Sequence, residues 1–398
     1  MTKPFEGVRV IDFTQVYAGP FASYQLALHG ADVVKVERPG GEEFRFSAHA
    51  PEWSARSMGP MWVATNANKR NVALDLKKPE AIAIVKRLVK DADIVMENFR
   101  PGVMDRLGIG YEALIEINPT LIYCAISGFG QDGPEKNTPA YDGRIQATSG
   151  IMSITGQAET GPTRAGFAVC DAIGGMTGAF AISSALFQRI RTGKPQLIDV
   201  SMLDAALTFL SPAVCEYTVA GIEQVQMGNQ AVSRKATADL YRVRDGYMLL
   251  AVNSEGQFQA LAKEIGREDI LKDPRFLDWN VRRENAEALR EIVQEKLLEE
   301  DVDTWQRRLD AVSAPAAKIW RIDEVVNHPQ LEHRDVLQTI ETDLGDLRLV
   351  GPGFKLAHGG GKVSRAPAMP GEHNTEILKE AGYTADEINA LRAEGVFG

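Results

Sequence analysis

The stretch Gly7-Val8-Arg9-Val10-Ile11-Asp12-Phe13, followed by Asp32-Val33-Val34-Lys35-Val36-Glu37, decides the fold. Both runs are short, rich in β-branched residues and bounded by turn formers, which marks them as strands. Between them Pro20 to His29 has helical character, and Gly30 supplies its stop. A strand, a helix and a strand in so little chain make a right-handed crossover between parallel neighbours.

Working outward, the same grammar repeats. A strand is expected over Asn71–Leu76, then a helix from Pro79 to about Asp91 whose Ala81, Ile84, Val85, Leu88 and Val89 share one apolar face. Strands follow at Asp93–Glu97 and Leu121–Ser127, giving a Rossmann-like α/β domain. A helix over Ala172–Ile190, a strand over Gln196–Met202 and a helix over Leu203–Leu210 come next. Gly221 to Ala238 is polar without clean periodicity and reads as a linker or mobile loop. Beyond it, Leu240–Val243 and Tyr247–Val252 flank Arg244-Asp245-Gly246, a hairpin signal, and amphipathic helices run to about Val312. The tail carries Leu347-Arg348-Leu349-Val350 and helices near Asn374–Ala381 and Ala385–Glu394. The expected organisation is a large Rossmann-like domain over 1–220, a small α+β domain over 221–325, and a C-terminal segment over 326–398 that reads as no third unit.

With 398 residues the chain is too long for one small core, and 44% hydrophobic with 25% charged residues is the ordinary globular mix. The N-terminus Met1-Thr2-Lys3-Pro4-Phe5-Glu6 lacks the apolar core of a secretory signal, and no apolar run is expected to reach the roughly eighteen residues of a bilayer span, so a cytoplasmic protein is expected. Cys124, Cys170 and Cys215 are widely spaced, which indicates neither a disulfide framework nor a cysteine-rich zinc site. A net charge of −10 argues against sequence-independent nucleic-acid binding, and any anionic ligand needs local cations.

Several chemistries fall away. The first turn, Thr14-Gln15-Val16-Tyr17-Ala18-Gly19-Pro20, is not Gly-x-Gly-x-x-Gly, so a pyrophosphate cannot approach the backbone as in nicotinamide enzymes, although Glu37 stands where a ribose-binding acid would. No nucleoside-triphosphate loop occurs, the six histidines never pair at helical ligand spacing, and His358-Gly359-Gly360-Gly361 has no nucleophile elbow to serve. No metal is therefore expected. What remains is Asp171, a lone carboxylate between the run Gly166-Phe167-Ala168-Val169-Cys170 and a long helix. Such a residue is either a helix N-cap or a nucleophile. Cys170 beside it reads as a small buried residue. Cations gather at Glu37-Arg38-Pro39-Gly40, Asn68-Lys69-Arg70, Glu97-Asn98-Phe99-Arg100-Pro101-Gly102 and Asp105-Arg106, mostly at strand ends where open α/β sheets bind ligands. Their placement points to a phosphate-bearing ligand.

The ordered set Gly7–Phe13, Gly30–Gly40, Asn68-Lys69-Arg70, Glu97–Gly102, Ser127-Gly128-Phe129-Gly130, Thr192-Gly193-Lys194 and Pro370-Gly371-Glu372-His373 closely resembles the class III CoA-transferases of the formyl-CoA and carnitine type, over nearly the full length. The resemblance implies a Rossmann-like large domain plus a small domain, the return of the 326–398 segment to the large domain, two ring-like chains interlocked as a homodimer, and CoA thioester bound as substrate with no further cofactor. At the matching position Asp171 is implied as the nucleophile that passes through aspartyl anhydride and aspartyl-CoA thioester intermediates. Gly174 and Gly175 are expected to leave room for the thioester, and the helix start after Asp171 to favour its anion. The resemblance implies that Arg38 and the Val72–Leu74 stretch border the adenine, with Asn98, Phe99, Arg100 and Arg106 near nucleotide and phosphates. Val16 and Lys69 fall at contact positions, and Tyr141 near the thioester.

Two alternatives stand beside transfer. A 2-methylacyl-CoA racemase has the same fold but places His where this chain has Tyr141, and a phenol with an ordinary pKa near 10 is a poor base. A non-catalytic CoA-ester binding protein would keep the pocket without turnover. This chain departs from formyl-CoA transferases at Tyr17, which replaces Gln, at Pro139, which replaces a basic residue, and over 225–240, which lacks their glycine-rich lid. The acyl donor and the acceptor acid are accordingly unassigned.

Overall fold

The computed structural model describes residues 2–397 apart from Ser47 and Leu344. Two compact units result: Met1–Gly150, Ala165–Ile222 and Pro329–Gly398 in the first, Ile151–Arg164 and Glu223–His328 in the second.

The first unit is built on a parallel sheet of six strands, β1 (Arg9–Asp12), β2 (Asp32–Glu37), β3 (Lys69–Ala73), β4 (Ile94–Glu97), β5 (Ile122–Ser127) and β6 (Gln196–Ser201), in the order β3-β2-β1-β4-β5-β6. This is a doubly wound order, and its reversal falls between β1 and β4. Helix α1 (Ala18–Leu28) makes the first crossover and α2 (Pro79–Lys90) follows β3, burying Ala81, Ile84, Val85, Leu88 and Val89 as the periodicity requires. Central strands are buried on both faces, with Val10, Ile11, Val33, Val34, Ile94 and Val95 all at 0% exposure.

Strand β3 begins at Lys69, before the expected Asn71. Charge patterning hides this start because Lys69 and Arg70 are buried cations held by specific carboxylates. Lys69 Nζ lies 3.2 Å from Asp12 Oδ2, and Arg70 pairs with Asp32 at 2.6 Å and with Glu376 and Glu380 at 2.7 Å each. The latter carboxylates sit on the helix Asn374–Glu380, whose Asn374 Oδ1 accepts the Ala73 amide at 2.8 Å, so the tail docks on the edge of this sheet.

After α3 (Asp142–Thr148), the long helix α4 runs from Val169 to Thr192, three residues earlier than the expected Ala172 start. By length and composition α4 is long and apolar enough to cross a membrane, contrary to the expectation of no such run, because its charges, Asp171, Arg189 and Arg191, fall near its two ends. Here it packs on α1 and β5. Gly175 brings it close to α1: a Cβ there would stand 2.5 Å from the Ala18 carbonyl oxygen. At Gly174 a Cβ would meet Met202 Cγ at 3.0 Å. These glycines therefore serve helix packing, and the space they were expected to leave for a thioester is filled by Ala18, Phe21 and Met202.

The second unit holds an antiparallel three-stranded sheet, β7 (Leu240–Val243), β8 (Gly246–Leu250) and β9 (Ala316–Lys318), with β8 central. Val243 pairs with Gly246, so Arg244-Asp245 forms the turn. Helices Glu255–Glu264, Ala286–Leu297 and Val302–Ala311 pack Phe258, Leu261, Leu289, Val293, Trp305 and Leu309 against it. The segment Ile151–Arg164 clusters here too, where the Gly156 carbonyl accepts the Gly228 amide at 2.8 Å.

Candidate functional site

The loops leaving the C-terminal ends of β1, β4 and β5 converge on one cavity of about 220 Å3. It lies at the reversal of strand order, where parallel open sheets bind ligands. Its wall brings together Val16, Asn98, Phe99, Arg100, Tyr141 and Asp171 from the sequence expectations, and adds Gln15, Tyr17, Ser127, Phe129, Lys136 and Met202.

Asp171 is the third residue of α4, not its N-cap; that position belongs to Ala168, whose methyl side chain cannot accept a hydrogen bond. The cap comes from elsewhere. Asp142 Oδ1 accepts the Cys170 amide at 2.8 Å and the Asp171 amide at 3.3 Å, while Gln146 Nε2 donates to Asp142 Oδ2 at 2.6 Å. Asp142 is 6% exposed, so a buried carboxylate satisfies the orphan amides of α4 and leaves the Asp171 side chain free for chemistry. Local sequence could not reveal this, because the donor amides belong to a helix distant in the chain. Burial first, and the Asp142 charge second, push the Asp171 carboxyl up to about 7. The helix start does not reverse that direction. Burial pushes the neighbouring Cys170 thiol up to about 12, which leaves it an inert packing residue.

Asn98 serves the site through the backbone. Its Oδ1 accepts the Gln15 amide at 2.7 Å and its Nδ2 donates to the Gln15 carbonyl at 2.8 Å, so its amide clamps the β1 loop. Arg100 and Lys136 are exposed at the cavity, and the side chain of neither has a hydrogen-bond or ion-pair partner among the described residues. Phe129 and Met202 supply apolar wall.

Other expected contacts stand outside this cavity. Arg38 is exposed and its Nε donates to the Gly41 carbonyl at 2.8 Å. Arg106 is exposed on the turn after Gly102. Val72 and Leu74 are buried in the apolar core beside Ile11, Val34 and Val95, and their side chains face no solvent. Lys69, 2% exposed, is a correction in kind: its ammonium donates to Asp12 Oδ2, the Pro20 carbonyl and Asn66 Oδ1, which occupies all three protons. It holds the sheet together and offers no side-chain donor to a ligand. Burial pushes the Asp12 carboxyl up, but Lys69, Lys35 and the Ser23 and Thr14 hydroxyls outweigh it and the net direction is down.

Comparison with known proteins agrees with this architecture. The profile of CoA-transferase family III matches residues 5–374. Human succinyl-CoA:glutarate CoA-transferase is 31% identical over 99% of this chain and 90% of its own. Acetyl-CoA:oxalate CoA-transferase of Acetobacter aceti is 38% identical over 84% of this chain and 85% of its own. A CaiB/BaiF family protein from Brucella suis superposes with a TM-score of 0.86 at 32% identity, covering 96% of this chain and all of that one. The fold and these relatives thus define an enzyme of CoA transfer. The chain belongs to CoA-transferase family III, the class III enzymes that move CoA between an acyl-CoA and a carboxylic acid.

Proposed function

We propose that this enzyme transfers CoA through covalent intermediates on Asp171. An Asp171 side-chain oxygen attacks the thioester carbonyl, the C–S bond breaks, and CoA thiolate leaves a mixed anhydride behind. The thiolate then attacks the aspartyl carbonyl and expels the donor acid as its carboxylate. An acceptor carboxylate displaces the thiolate from the aspartyl-CoA thioester, and thiolate attack on the second anhydride releases the new acyl-CoA and regenerates Asp171. Each exchange is divided into acyl transfers of lower barrier.

The observation that carries this reading is the position of Asp171: first turn of α4, side chain on the cavity, its helix capped by another carboxylate. The raised carboxyl marks a semi-dry pocket, which protects an anhydride from water while leaving a substantial carboxylate fraction at neutral pH. No histidine lines the cavity among the described residues, so the acid–base pair of a racemase lacks its imidazole and transfer is favoured over epimerisation. Coenzyme A serves as substrate, with no resident cofactor or metal in the scheme.

For the acceptor we propose a short dicarboxylic acid. Relatives act on glutarate and oxalate by name, and Lys136 presents an unpaired ammonium for a distal carboxylate while Arg100 meets a CoA phosphate. A homodimer is proposed too. Helix α4 leaves Phe180 74%, Phe187 58% and Ile190 83% exposed, an apolar face that a second copy would cover. A cytoplasmic setting accords with three free cysteines. The test is to incubate the protein with a panel of acyl-CoAs and labelled carboxylic acids, with Asp171→Ala beside it. Transfer should occur in the native enzyme and vanish in the variant; α-deuterium washout without transfer would favour the racemase, and tight CoA binding without exchange a binding protein.

A further inference from the structure

Between β1 and α1 the chain crosses the cavity as Thr14-Gln15-Val16-Tyr17, and side chains from four other positions grip its backbone. Asp12 Oδ1 accepts the Thr14 amide at 2.9 Å, and Lys35 Nζ donates to the Thr14 carbonyl. Asn98 clamps both backbone groups of Gln15. Glu42 Oε2 accepts the Val16 amide at 2.8 Å.

Val16 is the anomaly in this loop. Its φ is 69°, a left-handed backbone that a β-branched residue adopts only when its surroundings enforce it. The group that holds its amide is Glu42, a carboxylate 4% exposed. Its other oxygen, Oε1, meets Lys35 Nζ at 2.9 Å and Trp62 Nε1 at 3.0 Å. The Glu42 amide donates to Glu37 Oε2 at 3.1 Å, and Arg45 in turn bridges both Glu37 oxygens. A charged lattice this buried is costly to assemble, and what it fixes at the cavity is one strained peptide.

The residue that follows gives that strain a use. Tyr17 lines the cavity with Asp171, its ring stacked on Phe21 at 5.5 Å between centroids. Its hydroxyl has no hydrogen-bond partner among the described residues. Burial first, and the Asp171 charge second, raise the phenol above its ordinary range, so it stays protonated as a donor.

We propose that Glu42 is a positioning residue for acyl transfer: touching no substrate, it holds Val16 left-handed so that the Tyr17 hydroxyl donates to the acyl oxygen that gains charge beside Asp171. The proton stays on Tyr17; the hydrogen bond strengthens as the tetrahedral oxyanion forms and relaxes as the carbonyl returns. This rests on Asp171 as the nucleophile.

A double-mutant cycle on steady-state transfer, with the full-length enzyme, tests it. Tyr17→Phe should lower kcat roughly 10- to 100-fold with KM within about threefold, the loss typical of one oxyanion donor. Glu42→Ala should lower kcat by a similar factor, and Glu42→Gln, which keeps an acceptor for Val16, should recover most of it. In the Tyr17→Phe background Glu42→Ala should then add less than about threefold, because the group it positions is already gone. Factors that multiply fully in the double variant would overturn the proposal, as would Tyr17→Phe at native kcat. Should Glu42→Ala fail to fold, Glu42→Asp, whose shorter side chain withdraws the acceptor from the Val16 amide, carries the same cycle, with Glu42→Gln as the rescue control. Hydroxylamine trapping of the acylated Asp171 peptide separates the two layers: an adduct in the native enzyme with additive variants refutes only the positioning role, whereas transfer without any adduct refutes the nucleophile itself.

Discussion

The Asp142 carboxylate caps the helix that carries Asp171, accepting the Asp171 amide at 3.3 Å and the Cys170 amide at 2.8 Å. One buried acid thus fixes the backbone of the proposed nucleophile and, through its charge, raises that carboxyl's proton affinity. Capping favours the observed geometry, while the charge opposes ionisation of Asp171.

That opposition sets the pH dependence. The reactive form of Asp171 is the carboxylate, and its carboxyl titrates at about 7, so kcat/KM should rise with pH through an apparent midpoint near 7. Asp142→Asn keeps an oxygen for the Cys170 amide but removes the charge. The midpoint should move down by on the order of one unit, since burial, the larger cause, remains. An unmoved acid limb in a folded Asp142→Asn variant would mean that another group controls it.

Stability should respond in the opposite sense. Asp171 in the folded state titrates at about 7 against an ordinary 3.8, so below pH 4 folded and unfolded chains both hold the proton and no penalty exists. Between pH 4 and 7 the unfolded chain releases a proton that the folded one keeps, and stability falls as pH rises. Asp171→Asn removes this penalty. Denaturant melts should show the variant more stable by up to about 4 kcal/mol at pH 8 and nearly equal to the native protein at pH 4.

Helix packing offers an independent check. Gly→Ala inside a helix ordinarily stabilises by about 1 kcal/mol. At Gly175 the new Cβ would stand 2.5 Å from the Ala18 carbonyl oxygen, which is backbone and cannot swing aside. Gly175→Ala should therefore destabilise by about 1–3 kcal/mol. Gly174→Ala, facing the flexible Met202 side chain at 3.0 Å, should cost less in the same thermal melts.

Two cations that look alike in the sequence should behave differently. Lys69→Met leaves Asp12 buried without its partner and should cost about 3 kcal/mol of stability. Arg100→Ala should leave stability within about 0.5 kcal/mol and raise KM for the acyl-CoA roughly tenfold, the loss of one charge-assisted contact. Paired melts and saturation kinetics distinguish the two roles.

Much of the fold was legible because apolar periodicity is a direct imprint of burial. The strand Asp32–Glu37 and the buried face of Pro79–Lys90 appear as the pattern requires. Where charges are buried the pattern fails, and Lys69 and Arg70 therefore hid the start of β3. Within the candidate site, the loops at the β1 and β4 ends and Asp171 were visible, since ligand cavities of parallel sheets form at strand ends. Asp142 and Glu42 were not. Each acts on a backbone amide far away in the chain, Asp142 on Cys170 and Glu42 on Val16, and no local motif records such a contact. Gly174 and Gly175 misled for the related reason that a glycine marks close approach without saying what approaches.

The most direct measurement is peptide mass mapping of the enzyme quenched during turnover with an acyl-CoA. A CoA adduct is expected on the side chain of Asp171, converted by hydroxylamine to a hydroxamate at the same residue and absent from Asp171→Ala, which should transfer nothing. Full transfer by Asp171→Ala, or steady turnover in which the Asp171 peptide never gains mass, would contradict it.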